Sequence, residues 1–149
     1  MSGSNGVFNI AKGSVAYYAS LPAASDSLIA VLLKSSGLEG DTTLADYDTL
    51  SALLAGANDE ASDASYSRKA LTSVTVTVDD TNDRVDLDCA DITWSALAGA
   101  AIAKLVICYD GNTGSGTDAD IIPLTYHSFD VTPDGTDVTA TVSNFARIS

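Results

Sequence analysis

Two stretches of the chain gather oxygen atoms densely enough to raise the question of a bound hard cation. The first is Asp79-Asp80-Thr81-Asn82-Asp83 with Asp86 and Asp88 close behind, and the second is Asp110-Gly111-Asn112-Thr113-Gly114 followed by Asp118 and Asp120. Ca²⁺ needs several carboxylate and carbonyl oxygens converging from one loop. Asp79, Asp80, Asn82, Asp110 and Asn112 are therefore the candidate ligands. An EF-hand loop requires glycine at its sixth place and glutamate at its twelfth. Arg84 stands near the required glycine of the first stretch and no glutamate follows, while the second also lacks the full pattern. Both stretches read better as turns on a solvated acidic face, and no metal or cofactor is expected.

The other reactive residue types are sparse. Gly111-Asn112-Thr113-Gly114-Ser115-Gly116 lacks the Lys-Ser/Thr of a phosphate-binding P-loop and the spacing of a dinucleotide loop. Asp110, Asp118 and Asp120 around it would repel a phosphate, so the stretch reads as a hairpin loop. His127 is the single histidine, with Ser128 and Asp130 nearby. Neighbours on an extended segment project to alternating sides, so their closeness in sequence does not make a catalytic triad. One histidine and two cysteines do not supply a three-ligand zinc site. A lysozyme-like mechanism needs two acids, one of them protonated in an apolar pocket. Glu39 and Glu60 fall in polar segments expected to be exposed. No catalytic residues are assigned and no enzyme is expected.

Cys89 and Cys108 both lie in apolar stretches. Two thiols do not form the disulfide framework of small secreted folds; buried free thiols are the preferred reading, with a single bridge as the alternative. The aromatic residues are interleaved with aliphatics at strand or helix spacing, which assigns most of them to the core. Tyr66, in a polar stretch, is the one expected at the surface, where a sugar could stack on it.

These residues must be positioned by a chain of 149 residues with a formal net charge of −13. That length makes one domain, and the sign of the charge disfavours nucleic acid or an anionic membrane as partner. With 46% hydrophobic and 18% charged residues the chain is too apolar for disorder. Of its 20 acids 18 are aspartate, a residue of turns and caps rather than helix interiors. Met1 to Ala11 has no secretory pattern, and Ala96 to Tyr109, interrupted by Lys104, is too short for a membrane span. A soluble protein made in the cytosol is expected.

Along the chain, residues 1–6 read as a flexible Ser/Gly arm and 7–149 as one β-rich domain. Residues 7–21 read as a strand, a turn and a second short strand. The apolar run Leu28 to Leu33 fits a central strand buried on both faces, with a helix of that length as the competing reading. Leu44, Tyr47, Leu50, Leu53 and Leu54 share a helical face, predicting an amphipathic helix over 43–55 that ends at a left-handed Gly56. Residues 57–67 are small and polar and predict an exposed loop. From Ser73 to Val78 the period becomes two, valines on one side and hydroxyls on the other, the pattern of a strand with one wet face. Further strands are expected at 84–89, 91–94, 101–109, 121–126 and 137–142, with turn residues between them. The whole reads as a mainly β, sandwich-like domain with one short helix.

Four stretches carry a resemblance: Val7-Phe8-Asn9-Ile10-Ala11-Lys12-Gly13, Asp46 to Leu54, Asp79 to Trp94, and Asp118 to Asp137 with its Ile121-Ile122-Pro123-Leu124-Thr125 and Val131-Thr132-Pro133-Asp134-Gly135. Together they resemble a family of small acidic proteins encoded among the virion structural genes of tailed bacteriophages, particularly those of actinobacterial hosts. The resemblance implies a virion protein on the capsid exterior, with a capsid decoration protein as the leading expectation and the major capsid protein as partner. It also implies self-association, as a homotrimer by analogy with other decoration proteins. A tail or neck component, one form of which binds host glycan, is the alternative.

Overall fold

The computed structural model describes residues 4–149. Its ten strands are β1 (Gly6–Val7), β2 (Ser27–Lys34), β3 (Lys69–Ala70), β4 (Thr75–Asp79), β5 (Arg84–Asp88), β6 (Ile92–Trp94), β7 (Ile102–Asp110), β8 (Ile121–Val131), β9 (Val138–Ala140) and β10 (Ala146–Ile148). Three short helices, α1 (Val15–Ala19), α2 (Asp41–Leu44) and α3 (Leu50–Ala55), accompany them, with 3-10 turns at Asn9–Ala11 and Asp118–Asp120. The fold is mainly β and sandwich-like, as the alternating patterns predict.

The centre is a five-stranded antiparallel sheet in the order β1-β8-β7-β2-β3. In β2, Leu28, Ala30 and Leu32 pack to one side, and Ile29, Val31 and Leu33 to the other. Two apolar layers cover the sheet, which is why β2 and β7 read as unbroken apolar runs. On the first side lie a three-stranded sheet, β10-β5-β4, and the pair β6-β9, contributing Leu87, Cys89, Trp94 and Phe145. On the second side lie Phe8 and the leucines of α2 and α3. Cys89 and Cys108 are buried free thiols on opposite sides of the sheet.

The pairing of β7 with β8 shifts register between Ile102 and Lys104 and again between Ile107 and Cys108. The first shift alters the alternation, so that Ile102 packs on the first side with Leu105, Ile107 and Tyr109. Such bulges re-aim side chains at the edge of a ladder.

Several local expectations are corrected. Residues 7–21 form one short strand, a 3-10 turn and α1, not two strands: Ala11, Val15 and Ala19 recur at spacing four and bury together, and the tertiary core selects the helical period. The helix expected over 43–55 is split into α2 and α3. Thr49 is extended and caps α3 by accepting a hydrogen bond from the Ala52 amide at 3.1 Å, a local competitor to a continuous helix. Gly56 is not left-handed; its φ is −71°. Glycine is needed there for space, since a Cβ would collide with the Tyr47 hydroxyl.

The stretch 57–67 is a strap rather than an exposed loop. The Asp59 carbonyl accepts from the Lys34 amide and the Ala61 amide donates to Leu32, while Asn58 is buried with its side chain bonded to Glu39 and to the Leu53 carbonyl. Met1–Gly3 of the expected arm lie outside the described residues. Ser4–Gly6 are fastened: Ser4 donates to Asp41, Asn5 accepts from the Ser128 amide and Gly6 pairs with Tyr126. β4 is exposed on both faces, so its valine side is not covered as the one-wet-face pattern implies.

Candidate functional site

Six large apolar side chains of the described residues are exposed. They are Ile10, Tyr17, Leu21, Val76, Val78 and Ile148. The first three flank or belong to α1, and the others belong to the β10-β5-β4 sheet, against which α1 packs through β4 and β5. The sheet's register shows how the apolar groups line up. Ala146, Leu87 and Val76 form one cross-strand row, and Ile148, Val85 and Val78 form the next row on the same face. Leu87 is fully buried in the core with Val15 and Ala19. Two residues further out, Val78 is 66% exposed. The apolar face begins under the core and runs out into solvent.

Tyr17, assigned by spacing to the core, is instead 62% exposed. Its neighbour Tyr18 turns inward, with its ring centroid 4.6 Å from that of Tyr109. On the opposite face of the small sheet the row is Arg147, Asp86 and Thr77. There Asp86 receives Arg147 at 2.6 Å and Arg84 at 3.1 Å, and Arg84 also lies 3.2 Å from Asp79. The two faces of the sheet thus differ in kind: one carries valines and isoleucine, the other paired charges.

The candidate calcium ligands lie in two separate hairpins. Asp79, Asp80 and Asn82 occupy the β4–β5 tip. Asp79 accepts from the Thr81 and Asn82 amides and from the Asn82 side chain; these hydrogen bonds, the Asn82 side chain foremost, hold its carboxyl below the usual carboxylate value. Asp110 and Asn112 occupy the β7–β8 loop. Asp110 accepts from the Asn112 amide, whose side chain bonds Gly114 and Ser115. The side chains of both tips are engaged in closing their own turns, and no group of three or more His, Cys, Asp or Glu among the described residues is arranged to hold a metal.

Tyr66 and the two glutamates are not exposed as expected. The Tyr66 hydroxyl donates to Glu60 at 2.7 Å and accepts from the Leu32 amide at 3.2 Å, and burial, with Glu60 nearby, pushes its ionisation far upward. Its ring packs against the core, which removes it as a stacking platform for sugar. Glu60 is gripped by Arg68 at 2.7 Å, and the same guanidinium reaches Asp118 at 2.7 Å. This fork joins the 57–67 strap to the turn before β8. Glu39 accepts from Tyr47 and Asn58. Bound in this way, neither glutamate occupies the apolar pocket that a general acid requires.

Two further features take their surroundings from tertiary contacts. Lys104, on the central strand β7, is only 1% exposed. Its Nζ lies 2.6 Å from Asp41, 2.8 Å from the Ser4 carbonyl and 5.1 Å from the centroid of the Tyr126 ring. It is the peg on which residues 4–6 are hung. His127 faces a groove between β8 and the segment leading into β10. The groove has two adjoining parts of ≈ 240 and ≈ 390 Å³ that share Asn5, His127, Ser143, Asn144 and Phe145. Burial and the nearby charge of Lys104 push the imidazole down to about 4, leaving it neutral at pH 7. Its Nε2 is 2.9 Å from the Thr125 hydroxyl. Asp130, which follows in sequence, does not appear among its hydrogen-bond partners.

Comparison with protein-family models, curated proteins and solved structures finds no match for this chain.

Proposed function

We propose that this chain is a non-enzymatic structural protein of a tailed-phage virion, a capsid decoration protein that binds the outer shell through the major capsid protein and stabilises it. The observation that carries the reading is the exposed apolar face of the small sheet, with Val76, Val78 and Ile148, on a strongly acidic chain, joined to the sequence resemblance described above. A chain that leaves two valines and an isoleucine in solvent on one sheet face has a surface suited to docking. The remaining acidic surface repels packaged DNA and other particles, which favours a place on the exterior. Glu39, Glu60, Asp118 and Lys104 are engaged in holding segments together.

The test has two parts. Quantitative analysis of intact particles should find tens to hundreds of copies over the shell, and purified protein added to bare shells should raise their melting temperature, since a ligand of the assembled state stabilises it by mass action. Equal melting of coated and bare shells, or absence of the chain from mature particles, would overturn the reading.

One observation favours a second reading, a tail or neck component that touches host glycan. The groove beside His127 is lined by the polar side chains of Asn5, Ser143 and Asn144, groups that can hydrogen-bond the hydroxyls of a sugar. A dozen copies or fewer per particle, with glycan binding abolished by Asn144→Ala, is the outcome that selects it over decoration.

A further inference from the structure

The small sheet ends in an open edge. β4 pairs with β5 on one side, and among the described residues no strand pairs with its other side. Natural edge strands are commonly protected by charge, proline or a bulge, because their free amides and carbonyls invite another strand. β4 has none of these between Thr75 and Val78, and the uncharged stretch extends back to Leu71. In a chain with a net charge of −13, an uncharged exposed edge bordered by valines is a place where a second strand can approach.

We infer that this edge is a self-association site, at which β4 of one copy pairs antiparallel with β4 of a second copy across a two-fold axis centred on Val76. The sequence of the edge identifies the occupant. Reversed against itself about Val76, Val74-Thr75-Val76-Thr77-Val78 sets Val74 against Val78, Thr75 against Thr77 and Val76 against Val76. Every pair matches in side-chain type, and the acids fall outside the pairing: Asp79 meets Ser73 and Asp80 meets Thr72. No like charges stand opposite one another, although each copy is strongly acidic, and directly opposed like charges would be destabilising. The contact is isologous, so it closes on itself as a dimer and does not propagate.

A two-fold axis perpendicular to the sheet keeps equivalent faces on the same side. The pair becomes a six-stranded sheet, β10-β5-β4 followed by its symmetry mate, with Val76 and Val78 of both copies forming one apolar strip. This is a two-fold contact, in place of the three-fold association implied by analogy with decoration proteins. It does not depend on the virion reading. The strip is short and the copies repel each other, so association is weak in dilute solution at low salt and tightens as salt screens the charge. A partner held by opposite charge would behave in the reverse way.

Sedimentation of the full chain at rising concentration, in NaCl from about 0.05 M to about 0.5 M, measures this directly. The expected result is a shift from monomer toward dimer that strengthens several-fold with salt and is lost in Val78→Asp. That substitution falls at a well-exposed site and should leave the fold intact, as its melting curve will verify. Mild oxidation of Val76→Cys supplies a second measure, because across the axis the two side chains come within disulfide range, while both native thiols are buried. Val76→Cys should cross-link far faster than Val85→Cys, which lies on the same face one strand away from the edge. A monomer at every concentration and salt, or equal cross-linking at the two positions, overturns the inference. Self-association that weakens with salt, which would mean a contact made by opposite charges, also overturns it.

Discussion

Replacing Asp41 by asparagine should be among the more damaging single substitutions on the surface of this protein, and the reason lies beneath it. The Lys104 ammonium is buried on the central sheet, and among the described residues Asp41 is its one carboxylate partner. Asparagine keeps the size and an acceptor oxygen but removes the counter-charge. It leaves the ammonium with the Ser4 carbonyl and the Tyr126 ring. Breaking a buried pair by removing one charge costs about 3–5 kcal/mol. The Asp41 side chain is 22% exposed, so water relieves part of the loss, and about 3 kcal/mol is expected. At roughly 2–4 °C per kcal/mol for a chain of this size, the melting temperature should fall by about 6–12 °C.

Lys104→Met should be milder, because Asp41 then retains Ser4 and water. The double variant should be more stable than Asp41→Asn alone, since methionine fills the site without an uncompensated charge. Urea and thermal unfolding of the four proteins at pH 7 make the cycle. The acid limb is a further check. Burial acts to raise the Asp41 carboxyl, but hydrogen bonds from Lys104 and Ser4 outweigh it and hold it below its ordinary 3.8. A carboxyl lowered on folding contributes stability that is present above the unfolded value and is lost as pH falls through the folded one. Wild type should therefore weaken more steeply than Asp41→Asn below about pH 4. A loss under about 1 kcal/mol for Asp41→Asn, with no rescue in the double variant, would refute the account of the peg.

Three other outcomes follow from buried groups. The His127 imidazole is pushed from 6.5 to about 4 on folding; the unfolded chain takes up the proton first, so stability should drop by up to about 3 kcal/mol between pH 6.5 and 4. His127→Gln should flatten that window in urea titrations, and an unchanged slope would show that the imidazole is not sequestered. Arg68→Lys keeps the charge but loses the fork across Glu60 and Asp118. A loss of about 1–2 kcal/mol, with faster amide exchange in 57–67, is expected; no change in exchange would mean that the strap holds without it. Burial raises the Cys89 thiol to about 11 and Cys108 further, so a thiol reagent should label neither on the timescale of minutes until denaturant is added, and rapid labelling of the native protein would contradict the packing.

Much of the fold is legible in the chain because periodicity reports which sides of an element are apolar. Leu28–Leu33 and Ala101–Tyr109 are apolar on both sides, and they become β2 and β7 of a sheet covered on both faces. The turn residues of Asp79–Asp83 close the β4–β5 hairpin, and those of Pro133–Gly135 lead from β8 to β9, where Asp134 closes its turn onto Thr136. The thiols follow from composition and are free. Less legible are the places where local preference is evenly balanced. Val15–Ala19 suits a strand as well as a helix, and only its contact with Leu87 and Cys89 decides for the helix. Leu44 to Leu54 has the spacing of one helix, yet Thr49 interrupts it with a cap.

A mainly β, acidic chain with apolar runs long enough to make a doubly covered sheet is written in the residues, because side-chain alternation and turn chemistry are local properties. Tertiary structure alone decided what covers what. Ser4, Asp41 and Lys104 are scattered across 100 residues and meet only when β1, α2 and β7 assemble. The valines of β4 read like those of any half-buried strand, but they stay in solvent because the small sheet stops at β4. A hydrophobic pattern states that a face must be buried to be most stable; which element does the burying, or whether that is left to another molecule, depends on contacts between residues far apart in the chain.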